Sequence, residues 1–341
     1  MSNTFGTIFK VTTFGESHAK AAGVVIDGCP AGLKLTESGI EKYIKKSVKF
    51  YSFSTTRREE NKIEILSGIY KDRTTGTPIA IITRNCDTDS SGYLKLEGIA
   101  RPSHAEYVYY KKYGIYDPRG GGRASGRECV SRHMAAAVAD KLLGFTDIKF
   151  SAAIVELAGV KIDGKNKMSE AVRRIESLRD EKDSSGGVFE ISITGVPTGL
   201  GAPLFNKLSS QIGAYLFSIG GIKAVEIGAG REIARMSGSA ANDCARYDKN
   251  GALVFLTNNS GGISGGISNG APIKVRASVK PTPSIGQKQK TIDFYNDRNR
   301  EIELDGRFDA NFTPRAMAAA VSMLRIMIAD NMLQMDFIKI V

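Results

Sequence analysis

Apolar positions in the first quarter of the chain fall in short β-rich runs: TFGTIFKVTT (residues 4 to 13), GVVID (23 to 27), IEILSGIY (63 to 70) and PIAIIT (78 to 83). These predict strands. The spacing lengthens over TESGIEKYIKKS (36 to 47), where Ile40, Tyr43 and Ile44 share one helical face and Thr36 is placed to cap it. Residues 125 to 143 give the clearest helix. Ser125 and Glu128 fit a capping box, and Val130, Met134, Ala137, Val138 and Leu142 supply the apolar stripe. Strands are expected at 149 to 156 and 188 to 194, around a charged amphipathic helix near 168 to 181. A helix over 207 to 219 and strands near 222 to 227, 252 to 257 and 272 to 279 follow. The last helix runs from Pro314 to about Leu333, with Thr313 as cap. No linker or low-complexity tract divides residues 1 to 341, so the expectation is one compact α+β unit. Strand and helix patches recur in both halves, but periodicity establishes no repeat.

Composition narrows the class. With 42% hydrophobic and 24% charged residues the chain is that of an ordinary globular protein; no run approaches 18 consecutive apolar residues, so neither a membrane span nor a secretory leader is expected. The scattered Cys29, Cys86, Cys129 and Cys244 show no metal-ligand spacing, which favours reduced thiols in the cytoplasm and no metal. The formal charge of +11 asks for an anionic partner. Basic residues occur singly or in pairs within glycine-rich stretches, which suits pockets for small anions better than a stripe along a duplex.

Candidate chemistry concentrates in a few places. FGESHAKAAG (14 to 23) sets Glu16, Ser17 and His18 side by side, and His18 is one of three histidines in the chain. RPSHAEYVYYKKYGIYDPRGGGRASGRE (101 to 128) puts His104 before a tyrosine-rich segment, then a glycine loop with Arg119, Arg123 and Arg127 at a capped helix start, a favourable place for phosphate. NSGGISGGISNG (259 to 270) offers unhindered backbone amides, and DGRFDANFTPRA (305 to 316) sets Arg307, Asp309 and Arg315 at the last helix. Glycine loops often only turn the chain. The tyrosines at 107, 109, 110, 113 and 116 could stack on bases beside Lys111 and Lys112, or form a half-buried face. His133, in mid-helix, reads as structural. There is no P-loop, and GAGREIA (228 to 234) lacks the third glycine of a dinucleotide fingerprint.

Taken together, these stretches resemble the three signatures of the chorismate synthases. TTRREENKIEILSGIYKDRTTGTPIA, GVPTGLGAPLF, SGGISGGISNG and KPTPSI match in the same order, so the likeness runs from about residue 4 to 330. It implies helices sandwiched between antiparallel β-sheets, usually in a homotetramer. The implied reaction is the anti 1,4-elimination of phosphate from 5-enolpyruvylshikimate 3-phosphate, requiring reduced FMN without net redox change. By the same resemblance His18 is the acid for the departing phosphate, beside Ser17. His104 serves the reduced flavin near N1, and Asp309 lies near N5 and helps move the substrate proton. Arg127 falls on a substrate arginine. The flavin contacts are Arg123, Ala124, Ser125, Gly220, Gly221, Gly265, Lys280, Pro281, Thr282, Pro283, Ser284 and Arg307.

The chain departs from the family pattern in places. Ala19 replaces a glycine, and Gly220–Gly221 replace an Asn-Ala pair. Phe308 replaces a histidine, and KKSVKFYS (45 to 52) replaces an arginine-rich stretch. Lys46 and Ser52 stand where family arginines meet NADPH and substrate, so Arg57 and Arg58, with Lys45, Lys46 and Lys49, are the expected substitutes. NADPH then enters only through an external flavin reductase. Two other readings stay open: a flavin-binding paralogue that has lost the elimination, and, remotely, a basic single-strand nucleic-acid binder.

Overall fold

The computed structural model describes residues 3–48, 51–53, 61–86, 90–306 and 308–338. In chain order the principal elements are β1 (Thr4–Phe5), β2 (Lys10–Gly15), β3 (Ala21–Asp27), α1 (Glu37–Ser47), β4 (Ile63–Ile65), β5 (Ile79–Arg84), α2 (Glu106–Tyr113) and α3 (Cys129–Leu143). There follow β6 (Lys149–Leu157), β7 (Val160–Lys161), α4 (Lys165–Asp180), β8 (Gly187–Thr194), α5 (Leu208–Phe217), β9 (Ile222–Ile227), β10 (Ile273–Val279) and α6 (Thr313–Gln334). They build two five-stranded antiparallel sheets, ordered β1-β2-β3-β5-β4 and β9-β10-β8-β6-β7.

Each sheet buries one face because its side chains alternate. In β5 Ile79, Ile81 and Thr83 point inward, as do Ile273, Val275, Ala277 and Val279 in β10. Between the sheets lie α3, against β2 and β3, and α6, against β6 and β8, packed on one another. Twelve of the fifteen residues of α3 are buried, so this helix is interior rather than amphipathic. Ala135–Ala137 and Ala139 on α3 and Ala316, Ala319 and Ala320 on α6 are buried in the same core, small side chains that allow close helix approach. His133 lies in their seam, its Nδ1 2.8 Å from Ser322 Oγ. Helix α6 is apolar and long enough to cross a membrane, but 78% of that stretch is buried inside the fold.

Local chemistry corrects several boundaries. The expected strand over 4 to 13 breaks at Gly6, whose φ of +92° turns the chain so that β1 folds back on β2. The turn is held by α6: the Asp330 carboxylate accepts from the amides of Thr7, Ile8 and Phe9 at 2.9, 2.8 and 2.8 Å. The run 63 to 70 breaks at Gly68, φ +84°. The expected strand over 252 to 257 is a short Leu253–Phe255, paired with Ala245–Tyr247. Thr36 caps α1 as expected, accepting from Gly39 N at 3.1 Å. Thr313 does not cap α6; Asn311 Oδ1 accepts from the Thr313 amide at 2.9 Å, and Thr313 lies within the helix. The capping box before α3 is also absent. The first turn tightens into a 3₁₀ segment, Gly126–Glu128, so Ser125 Oγ accepts from Arg127 N at 3.3 Å. Glu128 turns instead to Arg132 Nε, 2.8 Å away.

Candidate active site

The two central helices begin side by side, both with the positive ends of their dipoles toward one region. A Cβ at Gly126 would meet the Phe312 ring at 2.8 Å, so glycine there lets the segments before α3 and α6 touch. Asp309 Oδ2 lies 3.2 Å from Arg315 Nη1. Gly220 and Gly221 face the same junction: a Cβ at either would approach nothing nearer than 3.6 Å, leaving backbone open to a ligand. Ala124 carries the carbonyl closest to Gly220.

The first histidine stands at the end of β2. Ser17 is 2% exposed and its Oγ is buried with no hydrogen bond to the described residues. His18 Nδ1 lies 2.8 Å from Ser90 Oγ, and its ring meets Tyr93 edge-on at 5.4 Å. Gly120 covers the other side. A Cβ there would fall 2.7 Å from Cδ2 and 2.9 Å from Nε2, so only glycine keeps a methyl off that edge. Asn85 holds the loop, donating to the carbonyls of Glu16 (3.0 Å) and Ala19 (2.8 Å) while accepting from Arg127 Nε (2.9 Å). Arg127 also donates to Asn61 Oδ1. Arg123 spends its fork on β2, donating to Thr13 Oγ1 (2.6 Å) and Gly15 O (3.2 Å); Arg119 pairs with Asp117 at 2.7 Å.

The second histidine is linked to Tyr93 through Arg101, whose guanidinium lies over that ring at 5.1 Å and whose Nη2 is 3.2 Å from His104 Nδ1. His104 Nδ1 lies 2.9 Å from Glu106 Oε1, which also accepts from Arg101 Nε at 2.7 Å. Burial pushes the Glu106 carboxyl up, but His104 and Arg101 together outweigh it and hold it down at about 2. Arg101 Nη1 donates to Ser284 Oγ at 3.2 Å, tying this cluster to the loop Lys280–Pro281–Thr282–Pro283–Ser284. Lys280 Nζ donates to Ser103 O at 3.0 Å, and Thr282 Oγ1 donates to Asp309 O. Burial, with Lys223 adding to it, lowers the Lys280 ammonium below the usual lysine range. A cleft of about 670 Å³ opens beside Ser284, Phe308 and Asp309.

Thus His18, Ser17, Arg127, His104, Asp309, Ser125 and the 280–284 loop lie on connected walls. Lys46 is exposed on the last turn of α1, and Ser52 reaches Glu176 of α4 at 3.4 Å. Gly265 is the tip of hairpin Ile263–Ser268, whose partners are Gly201 and Leu208. Arg57, Arg58, Lys49 and Arg307 lie outside the described residues. Among the described residues no group of three or more acidic, histidine or cysteine side chains could hold a metal. Sequence reasoning missed Asn85, Ser90, Tyr93, Arg101, Glu106 and Gly120. The only available signal was the proximity of Arg101 and Glu106 to His104.

The tyrosine segment folds as α2. Tyr107, Tyr110 and Tyr116 pack on Phe294, with centroids 5.2 to 5.9 Å apart, so these rings serve a local aromatic cluster.

The family model for chorismate synthase matches residues 9–333. A chorismate synthase of Methanocella arvoryzae is 44% identical, over 97% of this chain and 94% of its own. That of Methanocaldococcus jannaschii is 43% identical, over 99% and 98%. A crystal structure of chorismate synthase superposes with a TM-score of 0.75 at 27% identity, covering 97% of this chain and 93% of that one.

Proposed function

The chain belongs to the chorismate synthase family, lyases of the shikimate pathway toward aromatic amino acids, and from this premise we propose how its site eliminates phosphate from 5-enolpyruvylshikimate 3-phosphate. In the reaction a C–O bond to phosphate and a C–H bond across the ring break, and the ring gains a double bond. The observation that carries the assignment is the chain of contacts in which the Tyr93 ring meets His18 on one side and, on another, the Arg101 guanidinium that reaches His104, beside two helix N-termini and a buried Ser17 hydroxyl with no partner among the described residues.

His18, oriented through Nδ1 by Ser90, gives a proton to the leaving phosphate, and Ser17 Oγ and Arg127 bind substrate oxygens. Lys46, Arg57 and Arg58 extend that anion binding in place of the family's arginines. The residues present fit reduced FMN: open backbone at Gly220–Gly221 and hydroxyls and a lysine along 280–284 can hold a ring and its phosphate. Ala124, Ser125, Arg123, Gly265 and Arg307 complete its contacts. When bound, the reduced flavin lends electron density to the departing phosphate. His104 holds a proton at the flavin's N1 edge, and Asp309, steadied by Arg315, moves the substrate proton near N5. Flavin reduction falls to a separate reductase, and the protein works as a cytoplasmic homotetramer.

The test is anaerobic: protein, dithionite-reduced FMN and substrate, with chorismate absorbance and phosphate release followed together. Both products form, and His18→Ala lowers kcat by roughly 10²-fold or more. FMN binding with neither product would overturn the reading in favour of a paralogue without the elimination.

A further inference from the structure

Glu106 has a buried carboxylate whose bonding is lopsided. It is 7% exposed, and Oε1 takes His104 Nδ1 and two Arg101 donors, while Oε2 is buried with no hydrogen bond among the described residues. A buried arginine pair serving structure alone would be forked, one oxygen to each of two guanidinium nitrogens. Here Nε and Nη2 of Arg101 both converge on Oε1, the oxygen that also lies against the imidazole, while Nη1 donates to Ser284 Oγ. Nδ1 lies nearer to the carboxylate oxygen (2.9 Å) than to Arg101 Nη2 (3.2 Å), and the ionised carboxylate can only accept, so the hydrogen between it and His104 sits on Nδ1.

We propose that Glu106 is a positioning residue: it fixes one proton of His104 on Nδ1 and so leaves Nε2 as the nitrogen that takes up and holds the proton at the flavin's N1 edge. Arg101 sets the Glu106 carboxylate and, through Ser284, the loop beside it. The inference deepens the proposed role of His104 and rests on it. Loss of the Nδ1 bond frees the ring to adopt the other tautomer, with the wrong nitrogen protonated.

The chain has only three histidines, so ring-¹⁵N-labelled protein gives few signals, and His104→Asn assigns the relevant one. In the wild-type protein His104 Nδ1 carries the proton; an unprotonated Nδ1 overturns the proposal whatever any variant does. In Glu106→Leu, which offers no acceptor, the Nδ1 preference is lost, kcat falls roughly tenfold or more, and substrate KM is unchanged. Glu106→Asp, checked for folding by circular dichroism, recovers part of the loss. Unchanged kcat and tautomer in a folded Glu106→Leu would also overturn it. If the tautomer shifts while His104→Asn leaves turnover intact, the positioning stands and the assigned role of His104 fails.

Discussion

Gly120 shows how one missing carbon can decide a site. Alanine there would bring Cβ within 2.9 Å of His18 Nε2, and the backbone φ of +140° is one that side chains rarely adopt. The ring would have to leave Ser90 or the glycine loop would have to move. Gly120→Ala should therefore fold, bind FMN and lose about 10²-fold in kcat, measured by steady-state kinetics beside a circular dichroism spectrum. At this scale the sequence was legible where chemistry was local. Ser17 and His18 were visible because they are adjacent, and His104 because histidine is scarce. Asn85, Ser90 and Tyr93 were not, since asparagine, serine and tyrosine are common residues. Their meaning comes from which distant carbonyl or ring they meet.

Elements were readable in proportion to how far their own residues decide them. Helix α1, with its Thr36 cap and the buried face of Ile40 and Ile44, needs little from elsewhere. The turn at Gly6 and the start of α6 depend on partners hundreds of residues away or on a competing side chain, Asn311, and there the expectations failed. The anchor at Asp330 has a measurable consequence. Asp330→Ala leaves three amides of the Gly6 turn without acceptors and should lower stability by about 3 kcal/mol or more. A urea titration of wild type and variant would read this as a lowered midpoint at unchanged slope.

For the molecule as a whole, pairing two antiparallel sheets around α3 and α6 puts titratable groups in a dry seam. Burial, with Arg132 adding to it, holds His133 down to about 4, against 6.5 for an ordinary histidine. The unfolded chain therefore takes up a proton that the native one refuses, so stability falls as pH drops from 6.5 to 4, by about 3 kcal/mol in all. Glu106, depressed to about 2, adds a further loss as pH falls from 4.5 toward 2. His133→Gln should flatten the first limb in denaturant titrations across pH while leaving the second. The order of synthesis gives the Asp330 anchor another meaning. The turn at Thr7 to Phe9, just ahead of the strand leading to His18, is fastened by a residue more than 320 positions later. A ribosome must therefore finish nearly all of α6 before the first-made histidine segment can settle. Nascent chains arrested short of it should carry every signature residue up to that point and still lack a formed site.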